Sequence, residues 1–273
     1  MAAELLDGKA TAEKSRSGLK EEVRRLSISP TLAVVLVGDD PASLAYIKQK
    51  EKASTEIGAN LQLLKQDTNI TQNALEALID KLNQDKKITG IIVQKPLSEG
   101  IDADEIDVLI DPAKDVDGLN PLSAFVPATT RGIFALLAAY KIKVPGKKVV
   151  VVGRSRLVGL PTALEFINQD ATVTVCHSKT TDLAKETPQA DILISAVGSP
   201  GLIKANMVKE GAVVVDVGLS RVMMGEKPTL VGDVAFGEVS KVAGFVTPVP
   251  GGVGPMTVAG LLMNLVEAAY KQR

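Results

Sequence analysis

A chain of 273 residues, 45% hydrophobic and 23% charged, is long enough for one large or two modest cores and has an ordinary globular make-up. A formal charge of −1, 3% aromatic residues and no tryptophan argue against a nucleic-acid surface or a base-stacking platform. One cysteine excludes an internal disulfide and a multi-cysteine metal site, and neither a signal-peptide core nor an apolar run of membrane-spanning length is legible. The expectation is a cytoplasmic protein with no nucleic-acid, membrane or metal partner.

In chain order, LAVVLVG (32–38) reads as a buried strand, and Asp40-Pro41 as the N-cap and first residue of a helix that Gly58 ends after Ile57. A short apolar run near Leu61–Leu64, a helix from about Thr71 to Asn83, the strand ITGIIVQ (88–94) and a short helix in IDADEIDVLI follow. Strands alternating with helices predict parallel βαβ units. The turn-rich segment DPAKDVDGLNP (111–121) interrupts the rhythm, and a helix from Thr130 to Tyr140 leads into a second series. Its strands are KKVVVVG (147–153), ATVTVC (171–176), DILISAV (191–197) and GAVVVDVG (211–218), rich in valine and isoleucine as expected where helices cover both sheet faces. A last helix is expected over 257–271, packing back on the first domain.

The second series carries a nucleotide signal. Gly153 follows the strand 147–152 and opens GRSRLVGLP, with Pro161 near the start of a helix, where doubly wound folds bind a dinucleotide. The run is not the usual G-x-G-x-x-G, so alone it is weak. The second strand ends in Cys176-His177-Ser178-Lys179, with no carboxylate to repel a 2′-phosphate, and Arg154 and Ser178 are suited to binding one. That points to NADP over NAD; the alternative is that Arg154 and Lys179 are solvated loop cations. His177, the only histidine, stands on the adenosine side and is read as packing or surface.

The first series carries the acid–base candidates. On the helix after Asp40, Tyr46, Lys50, Ala53 and Ile57 share one stripe at 100° per residue, whereas Lys48 and Lys52 lie elsewhere. Lys50 is either a desolvated proton acceptor or a snorkelling lysine with a wet ammonium. Gln94 ends its strand just before Lys95-Pro96, where it can orient that lysine or satisfy neighbouring backbone. Asp115 and Asp117 in KDVDG either cap their own turn or hold paired N–H donors of a heterocycle. Near the C-terminus, TPVPGGVGPMT (247–257) is rigid, uncharged and bare of large side chains, suited to line a flat ligand or to make a tight interdomain turn.

These motifs, in this order, resemble the bifunctional methylenetetrahydrofolate dehydrogenase/methenyltetrahydrofolate cyclohydrolase family over nearly the whole chain. The likeness rests on Y-x-x-x-K at Tyr46 and Lys50, VQ-x-PL at 93–97, KDVDG at 114–118, GRS-x-x-VG-x-P at 153–161, ATVT-x-CHS-x-T at 171–180 and PVPGGVGPMT at 248–257. It implies that Lys50 is the acid–base residue of the cyclohydrolase step, that Tyr46 packs on the folate ring and that Gln94 bonds the lysine. It further implies that Asp117 holds the pterin, that Pro250, Gly251 and Gly252 border the folate, and that Gly153, Arg154, Ser155, Ser178 and Thr129 bind NADP. The implied architecture is a folate-side α/β domain, residues 1–125, joined by the helix 257–273, and a Rossmann-like doubly wound NADP domain, 126–256, with a cleft between them. A homodimer is implied too. Two departures stand out: Lys95 interrupts a run the family commonly writes QLPLP, and Ala128-Thr129-Thr130 replaces the usual PCTP-x-G context. The first leaves a dehydrogenase without cyclohydrolase activity as an alternative. A non-enzymatic nucleotide-sensing module would leave Lys50 and the folate-side motifs without a purpose.

Overall fold

The computed structural model describes residues 2–224 and 227–273. The chain divides into two compact units, Glu13–Ala128 with Val258–Arg273, and Met1–Ala12 with Thr129–Thr257.

In the unit Glu13–Ala128, Thr31–Val37 is the central strand of a parallel three-stranded sheet, with Asn60–Gln66 on one side and Gly90–Gln94 on the other. Its alternation sorts side chains between two cores. Leu32, Val34 and Leu36 pack with Ile47, Ala53 and Ile57, whereas Ala33, Val35 and Val37 pack with Leu75, Ile79 and Ile106. Because both faces are covered, the strand reads as an unbroken apolar run. The helix Pro41–Ile57 starts as its sequence dictates: Asp40 accepts from the Ser43 amide at 2.7 Å, and Gly58, at φ 84°, closes the far end. The helix Val253–Lys271 starts earlier than expected and, contrary to the sequence reading, is long and apolar enough to cross a membrane by length and composition. It is apolar because it is a core element, with Val258, Leu261, Leu262, Leu265 and Val266 all buried in the first of those two cores.

The other unit holds a six-stranded, all-parallel sheet in the order Glu4–Leu5, Phe245–Val246, Val213–Asp216, Ile192–Ser195, Lys148–Val152 and Thr172–Cys176. Strand order reverses at Lys148–Val152, which has Thr172–Cys176 on one side and Ile192–Ser195 on the other, so a crevice opens beyond its carboxyl end. Ser220–Met224 and Lys227–Val231 form a separate antiparallel pair that the sequence reading passes over. So is the N-terminal segment. The sequence places residues 1–12 in the first domain, yet they cluster with this second unit. A two-residue strand has no periodic signature. Its partner is equally short, and Leu6 beyond it is fully buried.

Candidate active site

Lys50 is buried on the inward face of its helix, together with Ile47, Ala53 and Ile57. Its Nζ does not reach water as a snorkelling lysine would; it donates to Gln94 Oε1 at 2.9 Å. Gln94 is the last residue of its strand, paired with Leu36 at the carboxyl edge of the sheet. Its amide orientation follows from its second bond: Nε2 donates to the Lys95 carbonyl oxygen at 2.9 Å, which leaves Oε1 turned toward the lysine. Ser43 Oγ, two turns before Lys50 on the same face of the helix, donates to the same carbonyl at 3.3 Å.

Burial pulls the Lys50 ammonium below the ordinary lysine range, and the Asp117 carboxylate opposes that pull. Asp117 is pushed the other way: burial raises it, with Lys50 holding it down. Tyr46 stands one turn before Lys50 on the same helix, half-buried, its phenol raised by burial.

The turn 114–118 separates three roles that its sequence leaves mixed. Lys114 Nζ donates to the carbonyls of Leu82, Asn83 and Asp85 at 2.7–3.0 Å, closing the end of the helix Gln72–Gln84. Asp115 is fully buried and accepts from the amides of Gly118 and Asn120, with burial raising its carboxyl to about 6. Asp117 is left to face the lysine. Gly118, at φ 75°, turns the chain where a Cβ would lie 2.6 Å from Pro127 Cα. Asn264, which the sequence reading does not single out, donates to the carbonyls of Val116 and Val126 at 2.8 and 2.9 Å and fixes both ends of this segment. An asparagine in an otherwise apolar helix face was the available signal.

Lys95, the departure from the family pattern, directs its ammonium to the buried Asp107 carboxylate at 2.5 Å. Asp107 sits on the short helix Ala103–Leu109.

The remaining candidates belong to the other unit. Gly153 has φ 117°, and a Cβ there would overlap the Ala196 carbonyl oxygen; one at Gly159 would overlap the Gly153 carbonyl oxygen. Both glycines are therefore required for strand and helix to meet closely at the crevice. Arg154, Ser155 and Ser178 are exposed, and Ser155 Oγ accepts from the Val158 and Gly159 amides at 3.2 and 3.4 Å, in the turn that leads into the helix Gly159–Asn168. His177 Nδ1 accepts from the Lys179 amide at 3.1 Å, a turn-closing bond. Cys176 is buried in the core, its thiol raised chiefly by burial. Thr129 Oγ1 accepts from Thr257 Oγ1 at 3.2 Å. Pro250, Gly251 and Gly252 follow a cis Val249–Pro250 bond, and Gly251 O accepts from the Lys9 amide at 3.0 Å, so the N-terminal residues brace this run.

Two family profiles match the sequence: "Tetrahydrofolate dehydrogenase/cyclohydrolase, catalytic domain" over residues 6–117, and "Tetrahydrofolate dehydrogenase/cyclohydrolase, NAD(P)-binding domain" over residues 127–273. The bifunctional protein FolD of Moorella thermoacetica is 51% identical over 283 aligned residues, which cover 99% of this chain and 100% of the relative. Among solved structures, the FolD methylenetetrahydrofolate dehydrogenase/cyclohydrolase of Campylobacter jejuni superposes with a TM-score of 0.95 at 47% identity over 100% of both chains. The Trypanosoma brucei enzyme, solved with NADP cofactor and inhibitor, gives 0.93 at 37% identity over 99% of this chain and 98% of its own.

Proposed function

This chain belongs to the tetrahydrofolate dehydrogenase/cyclohydrolase family, and from that premise we propose that Lys50, Gln94, Asp117 and Tyr46 carry its folate chemistry. The protein is a bifunctional enzyme of one-carbon metabolism that oxidises 5,10-methylenetetrahydrofolate with NADP⁺ and hydrolyses the methenyl product to 10-formyltetrahydrofolate.

The observation that carries the residue assignment is the buried Lys50 held at 2.9 Å by Gln94. Because burial favours its neutral amine, Lys50 has a lone pair available to take a proton from the water that attacks the amidinium carbon. It returns that proton to N5 as the C–N5 bond breaks, and the remaining hydroxyl proton leaves as the formyl carbonyl forms. Gln94 accepts from the amine and so aims it. Asp117 holds the pterin N–H groups, Tyr46 packs on the ring, and Pro250, Gly251 and Gly252 border the folate.

The dehydrogenase step needs no histidine, because the nitrogen lone pairs of the substrate expel the hydride and positioning suffices. NADP⁺, when bound, supplies the hydride acceptor. The fit is favourable on this chain's own features: two glycines with no room for a Cβ, a helix N-terminus behind Ser155, and a second strand ending without a carboxylate. Gly153, Arg154, Ser155, Ser178 and Thr129 are assigned to holding it, with Arg154 and Ser178 at the 2′-phosphate. The reading in which Lys95 abolishes hydrolysis loses its motive, since that ammonium is paired with Asp107.

The test is to follow methenyl formation and decay with NADP⁺ and with NAD⁺. Faster formation with NADP⁺, followed by enzyme-dependent decay, supports the assignment; formation without decay removes Lys50 from its role. We also propose a cytoplasmic homodimer on the strength of the family likeness. Light scattering is expected to give twice the 28.7 kDa chain mass, and a value near the chain mass contradicts it.

A further inference from the structure

The ion pair Lys95–Asp107 stands at the edge of the lysine site, and neither member has a role in the chemistry above. Lys95 replaces leucine in the QLPLP run that the family commonly carries, so this chain has placed a cation beside a buried lysine. Two sets of contacts tie it into the site. Through its main chain, the Lys95 carbonyl accepts from Gln94 Nε2 at 2.9 Å and from Ser43 Oγ at 3.3 Å. An amide can turn its oxygen to Lys50 only while its nitrogen has an acceptor elsewhere, and this carbonyl is that acceptor. Through its side chain, Lys95 is anchored to Asp107 at 2.5 Å, with the carboxylate 2% exposed. A carboxylate so buried requires a partner, and breaking such a pair leaves an uncompensated charge.

The pair also acts on the site electrically. Lys95 and Asp107 influence Asp117 in opposite directions, the first stabilising its charged form and the second opposing it. The charged groups around this point are Lys50 from the long helix, Lys95 from the strand exit, Asp107 from the short helix, and Asp117 with Asp115 behind it from the turn. With both members present their contributions at Asp117 oppose each other. With one removed, a full charge remains.

We propose that Lys95 and Asp107 are positioning residues for the hydrolytic step: together they fix the Gln94 amide toward Lys50 and cancel the charge that Lys95 brings to the site. The proposal rests on the assignment of Lys50 above. Asp107 is then the residue that makes a lysine tolerable at this position.

The experiment is to titrate Lys50 by NMR in lysine-labelled protein, with Lys50→Met assigning the resonance, and to record the pH profile of methenyl hydrolysis in parallel. Three variants are compared with wild type: Asp107→Asn, Lys95→Met and the double variant. Asp107→Asn leaves the Lys95 cation unbalanced and moves the Lys50 titration to lower pH by about one unit. Lys95→Met moves it upward by a similar amount. The double variant returns it close to wild type, a rescue that a merely structural role does not give. The proposal is overturned if both single variants leave the titration in place or move it in the same direction. It is equally overturned if the double variant is displaced as far as either single one. If Asp107→Asn fails to fold, the upward displacement in Lys95→Met and its reversal in the double variant decide. Failure of the functional reading looks different: wild type does not hydrolyse the methenyl substrate, while the three Lys50 titrations keep the expected order.

Discussion

Lys50 illustrates how one environment converts an ordinary side chain into an acid–base group. Its helix supplies the direction, the apolar stripe removes solvent, and Gln94 supplies a neutral acceptor that does not stabilise the ammonium as a carboxylate does. Asp117 is the counterweight, because its charge raises Lys50 against the larger effect of burial. The hydrolytic rate rises with pH as Lys50 loses its proton, and this limb lies below the ordinary lysine value of 10.5. In Asp117→Asn the opposing charge is gone, so the limb moves to still lower pH. That variant also loses its grip on the pterin, with kcat/KM falling about ten- to a hundredfold in both reactions. A limb that stays in place, or moves upward, contradicts the electrostatic link. Lys50 and Gln94 were legible as candidates because helical periodicity and the strand end placed them. Sequence alone did not choose between a wet and a dry ammonium, since that depends on the buried acceptor Gln94 presents.

At the scale of elements, the site is held by pieces whose sequence signals differ greatly in strength. The apolar strands were legible because covered parallel strands read as continuous valine and isoleucine runs. The N-terminal helix Gly8–Leu26 was not, because its buried residues Ala12, Leu19 and Val23 are sparse among charges. The turn 114–118 was legible as a turn, but the division of labour among Lys114, Asp115 and Asp117 depends on which backbone groups lie nearby. Asn264 is the clearest omission, since its two carbonyl partners lie 148 and 138 residues away in sequence. Asn264→Ala leaves those buried carbonyls without this donor and is expected to cost about 1–3 kcal/mol in chemical denaturation. It also weakens folate turnover by releasing the segment that carries Asp117; unchanged stability and turnover contradict this role. In the other unit, Gly159→Ala forces a methyl group into the Gly153 carbonyl. Its expected result is at least a tenfold weaker NADP⁺ affinity by fluorescence titration, with a destabilisation of about 1–3 kcal/mol. NADP⁺ binding at wild-type strength contradicts the close-packing argument.

For the molecule as a whole, each parallel sheet brings its candidate groups to the carboxyl edge of its strands. Gln94 ends one strand of the first sheet, and Gly153 follows the strand at which the second sheet reverses order. The succession of motifs was enough to give the family, because each carries residues with a chemical purpose, on a helix face at Tyr46 and Lys50 and at strand ends or turns elsewhere. Domain membership was less legible for residues 1–12, which join their unit through contacts distant in sequence, on a strand too short to announce itself. The central claim is that one chain performs both reactions and that hydrolysis passes through Lys50. Its most direct test is to mix Lys50→Met with 5,10-methylenetetrahydrofolate and NADP⁺ and follow the methenyl absorbance beside wild type. The account predicts that the variant forms the methenyl compound and accumulates it, its hydrolysis reduced by about 10²–10⁴-fold, whereas wild type consumes it. Methenyl decay at the wild-type rate in the variant contradicts the claim.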